Sequence, residues 1–118
     1  MDLQLSARAG RACTVVQVSG EIDMDTSPKL EDVLQDVADG RGARQVVLDF
    51  AEVTFMDSTG LGLLVVWVKT LRNRGGRLCL AAVQHTVRTV LVLSAVDQVV
   101  DVYDTVEAAE AEMPPLAS

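Results

Sequence analysis

Blocks of apolar residues with two different periodicities alternate along the chain of 118 residues. Short runs rich in β-branched residues predict strands, and apolar positions three or four residues apart predict helices. Strands are predicted at 3–6, 13–19, 45–50, 77–83 and 99–103. Helices are predicted to begin at Ser27, Ser58, Thr86 and Thr105. Ser27 and Thr105 are the expected N-caps of their helices, and Pro28 is the expected first helical residue after Ser27.

This order of elements predicts an α/β fold built on a mixed, mostly parallel β-sheet with helices packed on it. The first two strands are close enough to form an antiparallel hairpin across residues 9–11. The run 45–50 is apolar except for Gln45 and Asp49, as expected for a central strand covered on both faces. We expect a single domain at residues 3–112 and a short C-terminal tail at 113–118.

Composition excludes several classes of function. The net charge of −7 and the lack of a Lys/Arg cluster argue against direct nucleic-acid binding. No apolar run reaches the roughly 20 residues that span a bilayer, so we expect a cytoplasmic protein with no membrane partner. Cys13 and Cys79 lie in strand-like runs and are predicted to be reduced core residues. The chain has one histidine, His85, which we interpret as a surface residue. We therefore expect no metal site, and the sequence implies no cofactor.

The most informative segment is 55–62, Phe-Met-Asp-Ser-Thr-Gly-Leu-Gly, which places the Ser58 hydroxyl at the start of a helix. A helix N-terminus stabilises a phosphate by about 0.3–1 kcal/mol at an exposed position. Phosphorylation of Ser58 would therefore leave the domain folded and add roughly −1.5 to −2 charges to its surface. Taken alone, Ser58 is equally consistent with a simple helix N-cap.

The neighbours of Ser58 also have two interpretations each. Asp57 is either a turn residue or a carboxylate that orients the hydroxyl for a kinase. Gly60 and Gly62 either allow close helix packing or leave the backbone bare for a partner. Thr59 is a second hydroxyl that a kinase could modify.

Three apolar residues of this helix, Leu63, Val66 and Trp67, lie off its predicted inward stripe. The stripe consists of Leu61, Leu64, Val65, Val68 and Leu71. The three residues are either buried under a neighbouring element or exposed beside Ser58 as part of an interface.

The segments 20–23, 46–50 and 55–62 together resemble the STAS domain of bacterial anti-sigma factor antagonists. The resemblance extends from Leu3 to Glu112 and is most specific at Asp-Ser-Thr-Gly-Leu-Gly. It implies that Ser58 is phosphorylated by an anti-sigma factor with serine kinase activity and dephosphorylated by a serine phosphatase. The unphosphorylated form would bind the anti-sigma factor and free the sigma factor. The partner-facing residues implied by the resemblance are Asp23, Asp57, Thr59, Gly60 and Gly62.

Two segments depart from the family pattern, and both bear on the identity of the partner. Ser94-Ala95-Val96 replaces a turn with a central glycine, and Gln84-His85 stands where the family often has Ser-Pro. The alternative function is an adaptor subunit of a lipid-transport or stress-sensing complex. An enzyme is not expected, because Asp57 and Gly60 have the wrong spacing for an aspartic protease and the chain has neither a nucleophile elbow nor a phosphate-binding loop.

Overall fold

The strands form one mixed sheet in the computed structural model, which describes residues 2–40 and 42–114. In spatial order they are β1 (Leu3–Ala9), β2 (Thr14–Ile22), β3 (Gln45–Met56), β4 (Arg77–Ala81) and β5 (Asp101–Tyr103). The pair β1 and β2 is antiparallel, and the other neighbouring strands are parallel. The predicted fold class and the N-terminal hairpin are therefore confirmed, with β3 at the centre of the sheet.

Within the described residues, four α-helices connect or follow the strands. They are α1 (Ser27–Gln35), α2 (Ser58–Asn73), α3 (His85–Leu93) and α4 (Val106–Ala111). A π-helical turn at Asp36–Gly40 continues α1, and a 3-10 turn at Val96–Gln98 follows α3. The expected cap at Thr105 is confirmed, since its Oγ1 accepts a hydrogen bond from the N–H of Ala108 at 3.0 Å. The expected cap at Ser27 is wrong, because Thr26 holds the N-cap position and Ser27 is already helical.

The main difference from the predicted strands is the length of β3, which continues beyond Phe50 to Met56. Its second half pairs with β2, where Ile22 lies opposite Met56. Only Val53 and Met56 are buried in this half, so the continuous apolar signal stops although the strand continues. Backbone pairing with β2, rather than the apolar pattern, extends the strand.

The two faces of the sheet are covered unequally. Val46 and Leu48 pack into a large core with residues of α1, α2 and α3, whereas Val47 packs with α4 on the other face. Cys13 and Cys79 belong to the smaller core and are buried free thiols, as predicted. Burial raises the pKa of Cys79 to about 12, which keeps this thiol protonated and unreactive.

The parallel strands β2 and β3 end side by side at Ile22 and Met56. The turn after β2 and the first residues of α2 therefore lie together at the carboxyl edge of the sheet. This edge is where open α/β sheets commonly place their binding sites. The alignment brings together residues 23–26 and 57–60, which are about thirty positions apart in sequence.

Candidate functional site

Asp57 forms the N-cap of α2 and has an extended backbone. Its Oδ1 accepts hydrogen bonds from the N–H groups of Thr59 at 2.9 Å and Gly60 at 3.2 Å. Its own N–H donates to the carbonyl oxygen of Ile22 at 3.1 Å. Asp57 therefore ties the end of β2 to the start of α2, and the interpretation of Ser58 as the N-cap is wrong.

Ser58 is the first residue of α2 and is exposed. Its hydroxyl makes no hydrogen bond to any group among residues 2–40 and 42–114. Thr59 is also exposed, and its backbone N–H, rather than its hydroxyl, takes part in the cap. Since Asp57 performs the capping, the Ser58 hydroxyl is left available for chemistry at the surface.

The turn between β2 and α1 is shaped by Asp23 and the buried Thr26. Asp23 Oδ1 accepts hydrogen bonds from the N–H groups of Thr26 and Asp25, both at 2.9 Å. The Thr26 hydroxyl accepts from the N–H of Asp23 at 2.9 Å and donates to the carbonyl oxygen of Glu21 at 2.7 Å. The hydrogen bond from the Thr26 N–H is the main cause of the lowered pKa of Asp23. This carboxylate is therefore ionised at neutral pH.

The charges around Ser58 are mostly negative. Asp23, Asp25 and Glu31 follow β2, and Asp57 precedes Ser58 directly. Lys29 is the sole Lys or Arg within 20–32 and 52–66, and its Nζ lies 3.2 Å from the Asp2 carboxylate. A phosphate at Ser58 would therefore join an acidic surface with little compensating positive charge.

The two glycines of the segment have different environments. Gly60 is buried, and a Cβ added there would lie 2.7 Å from Met56 Cγ and 2.8 Å from Ile22 Cγ2. Gly62 is exposed, and an added Cβ would meet no atom within 4 Å. Close packing therefore explains Gly60, whereas Gly62 leaves bare helix backbone at the surface.

The three apolar residues off the inward stripe differ in their exposure to solvent. Val66 is 55% exposed and Leu63 is half-buried against the large core. Trp67 is 6% exposed, so its expected place on a partner-facing surface is wrong. Its indole packs into the large core because the helix is covered over more than the predicted stripe.

Two features of this edge were not recognised in the sequence. Met24 is 71% exposed at the turn after β2. Thr26 organises that turn from a buried position, and the spacing Asp-x-x-Thr is a signal that a search for capping motifs could have found. The exposure of Met24 carries no sequence signal, because exposure depends on packing.

Comparison with known proteins agrees with this fold. Residues 4–109 match the family model of the STAS domain. No helix in the described part of the chain is long and apolar enough to cross a membrane. The chain belongs to the STAS-domain family.

Individual similar proteins indicate a narrower class within this family. It is 29% identical to an anti-sigma F factor antagonist of Paenibacillus polymyxa, over 88% of this chain and 89% of that protein. It is 32% identical to an anti-sigma-B factor antagonist of Staphylococcus aureus, over 78% and 84% of the two chains. The crystal structure of an anti-sigma factor antagonist from Mycobacterium paratuberculosis superposes with a TM-score of 0.86 at 27% identity, over 95% and 94% of the chains. All three of these similar proteins are anti-sigma factor antagonists.

Proposed function

We propose that this protein is a cytoplasmic anti-sigma factor antagonist controlled by phosphorylation of Ser58. The unphosphorylated form binds an anti-sigma factor with serine kinase activity and so frees a sigma factor for transcription. Phosphorylation by that kinase releases the antagonist, and a serine phosphatase restores binding. The observation that carries the proposal is the exposed Ser58 hydroxyl, which has no hydrogen-bond partner among the described residues.

The cap at Asp57 supports the role of Ser58 as the modified residue. A serine that capped the helix would have to break its capping hydrogen bond before entering a kinase active site. Here Asp57 makes those hydrogen bonds, so Ser58 can be modified without loss of the cap. The same exposure lets a phosphatase reach the phosphoserine.

The start of α2 supports release by the desolvation of a phosphate. Asp57 already accepts from the N–H groups of Thr59 and Gly60, so a phosphate would have fewer backbone donors than a free helix N-terminus offers. The added −1.5 to −2 charges would remain exposed on an acidic surface. A binding penalty of about 2.8 kcal/mol is enough to lower affinity a hundredfold. The desolvation of a phosphate that a partner covers costs several kcal/mol, which is enough for release.

The proposed binding face includes Asp23, Asp57, Ser58, Thr59 and Gly62, with Leu63 and Val66 beside them. The buried Gly60 acts by letting α2 pack close to Ile22 and Met56, and Trp67 acts through the core. Ser58 is then the substrate of another protein's kinase activity rather than a nucleophile of this chain.

The decisive experiment measures binding of the anti-sigma factor from the same organism to four purified forms. These are the wild type, Ser58→Ala, Ser58→Asp and the control Thr59→Ala. With ATP present, wild type and Thr59→Ala should gain one phosphate, mapped to Ser58, and dissociate. Ser58→Ala should remain bound, and Ser58→Asp should bind weakly from the start.

Equal affinity of all four forms, with and without ATP, would contradict the switch. A phosphate mapped to Thr59 would move the switch to that residue. A stable membrane complex that ATP does not affect would instead support the adaptor function.

A further inference from the structure

A shallow groove of about 300 Å³ runs between α1 and α2 beside Ser58. It is lined from α1 by Ser27, Pro28 and Glu31, and from α2 by Thr59, Gly62, Leu63 and Val66. Because Thr59 is the next residue after Ser58, the groove begins at the phosphorylation site proposed above. Any protein that covers Ser58 from this side would also cover the groove.

The groove is apolar along α2. Val66 is 55% exposed, and the half-buried Leu63 lies one turn before it. Gly62 adds no side chain, so the backbone of α2 is open to close approach at this point. An apolar strip next to bare helix backbone fits an apolar side chain of a partner.

The charges at the groove indicate which charges the partner carries beside its apolar side chain. Glu31 is exposed and forms no ion pair among residues 2–40 and 42–114. Asp23 and Asp25 lie in the turn that precedes α1, whereas the nearest cation in sequence, Lys29, is engaged by Asp2. In contrast, the far end of α2 and the strand after it carry Arg72, Arg74 and Arg77. A complementary surface at the groove must therefore be cationic.

We propose that the α1–α2 groove is the part of this binding face that receives an apolar side chain of the anti-sigma factor, and that Lys or Arg residues flank that side chain. This inference rests on the proposed function and adds the chemistry of the partner to it. The apolar contact would slow dissociation, and the charges would accelerate association. Phosphate at Ser58 would disrupt the contact at one end of the groove only.

The apolar contact is tested with two substitutions of equal exposure. Val66 lies in the groove, and Val92 of α3 is also 55% exposed but outside it. Val66→Lys should weaken binding of the unphosphorylated protein to the anti-sigma factor by at least about tenfold. Val92→Lys, which makes the same chemical change, should bind within about twofold of wild type. Urea unfolding of both variants verifies that they are folded.

The charge contact is tested with a second matched pair. Glu31→Lys changes the groove, and Glu112→Lys makes the same change after α4, on the opposite face of the sheet. At low salt, Glu31→Lys should lower the association rate constant several-fold more than Glu112→Lys. The difference should disappear at high salt, because screening removes long-range steering.

The outcomes separate this inference from the proposed function. If neither wild type nor Ser58→Ala binds the anti-sigma factor, the proposed function fails. If both bind but Val66→Lys and Glu31→Lys behave like their controls, the function stands and the groove proposal is overturned. If Val66→Lys alters only self-association in analytical ultracentrifugation, the groove is an interface between copies of this chain, which also overturns the proposal.

Discussion

The N–H of Asp57 donates a hydrogen bond to the carbonyl oxygen of Ile22 at 3.1 Å, joining the end of β2 to the start of α2. Because the Asp57 carboxylate also caps the helix, one residue fixes the backbone on both sides of Ser58. The proposed phosphorylation site is therefore held by the scaffold while its hydroxyl remains at the surface.

Loss of the cap should destabilise the protein without changing the core. Asp57→Ala removes the acceptor for the N–H groups of Thr59 and Gly60, so we expect a loss of about 1 kcal/mol in the free energy of unfolding. Asp57→Asn keeps an acceptor and should lose less. Urea unfolding can be followed by the fluorescence of Trp67, the sole tryptophan. Equal stability of the alanine variant and wild type would show that the cap is unimportant.

The two glycines of α2 should respond to alanine with opposite signs. Gly60→Ala forces a methyl group against Met56 and Ile22, and should cost about 1–3 kcal/mol of stability. Gly62→Ala adds a methyl group in open space and improves helix propensity, so it should stabilise the protein by about 0.5–1 kcal/mol. The same denaturation assay measures both. If both substitutions changed the free energy of unfolding in the same direction, the close packing at Gly60 or the open space at Gly62 would be contradicted.

The departure from the family pattern at Ala95 should carry a stability cost. Ala95 has a φ of 63°, in the left-handed region that disfavours a side chain. Ala95→Gly should raise the free energy of unfolding by about 1 kcal/mol. Ala108→Gly, at an exposed position inside α4, is the control and should lower it by about 0.5–1 kcal/mol. A destabilised Ala95→Gly variant would mean that strain is absent at this turn.

The turn after β2 should make stability depend on pH. The pKa of Asp23 is lowered below its ordinary value of 3.8, mainly by the N–H of Thr26. The ionised carboxylate therefore contributes its full stabilisation of the folded state at any pH above the ordinary value. This contribution is lost as the pH falls through the lowered pKa. Asp23→Asn should lower the melting temperature at neutral pH, and the difference from wild type should shrink below about pH 3.

A neighbouring carboxylate supplies the control for this titration. Asp25→Asn removes the same charge from the same turn but keeps the hydrogen bonds that Asp23 accepts. If Asp25→Asn reproduces the pH profile of Asp23→Asn, the effect comes from the overall charge of the turn, and the assigned role of the Asp23 hydrogen bonds is wrong.

Much of the architecture could be predicted from local patterns. The apolar periodicities located helices α1 to α4 and the central strand, and the segments 20–23, 46–50 and 55–62 together identified the family. These features are local, because a strand or a helix shows its buried face in its own residues. The caps were predicted less well: Thr105 was correct, but Ser27 and Ser58 are helical residues whose caps are Thr26 and Asp57. Adjacent polar residues compete for a cap, and the backbone geometry decides between them.

The sequence by itself determined the α/β class, the order of the elements and the position of the serine at the start of α2. Only the tertiary structure decided which residues of α2 are exposed. It buried Trp67 and left Val66 open, although both lie off the predicted stripe. It also brought the turn at Asp23 beside Asp57 through the parallel pairing of β2 and β3. Burial and proximity depend on contacts between segments that are distant in sequence, and no local pattern encodes those contacts.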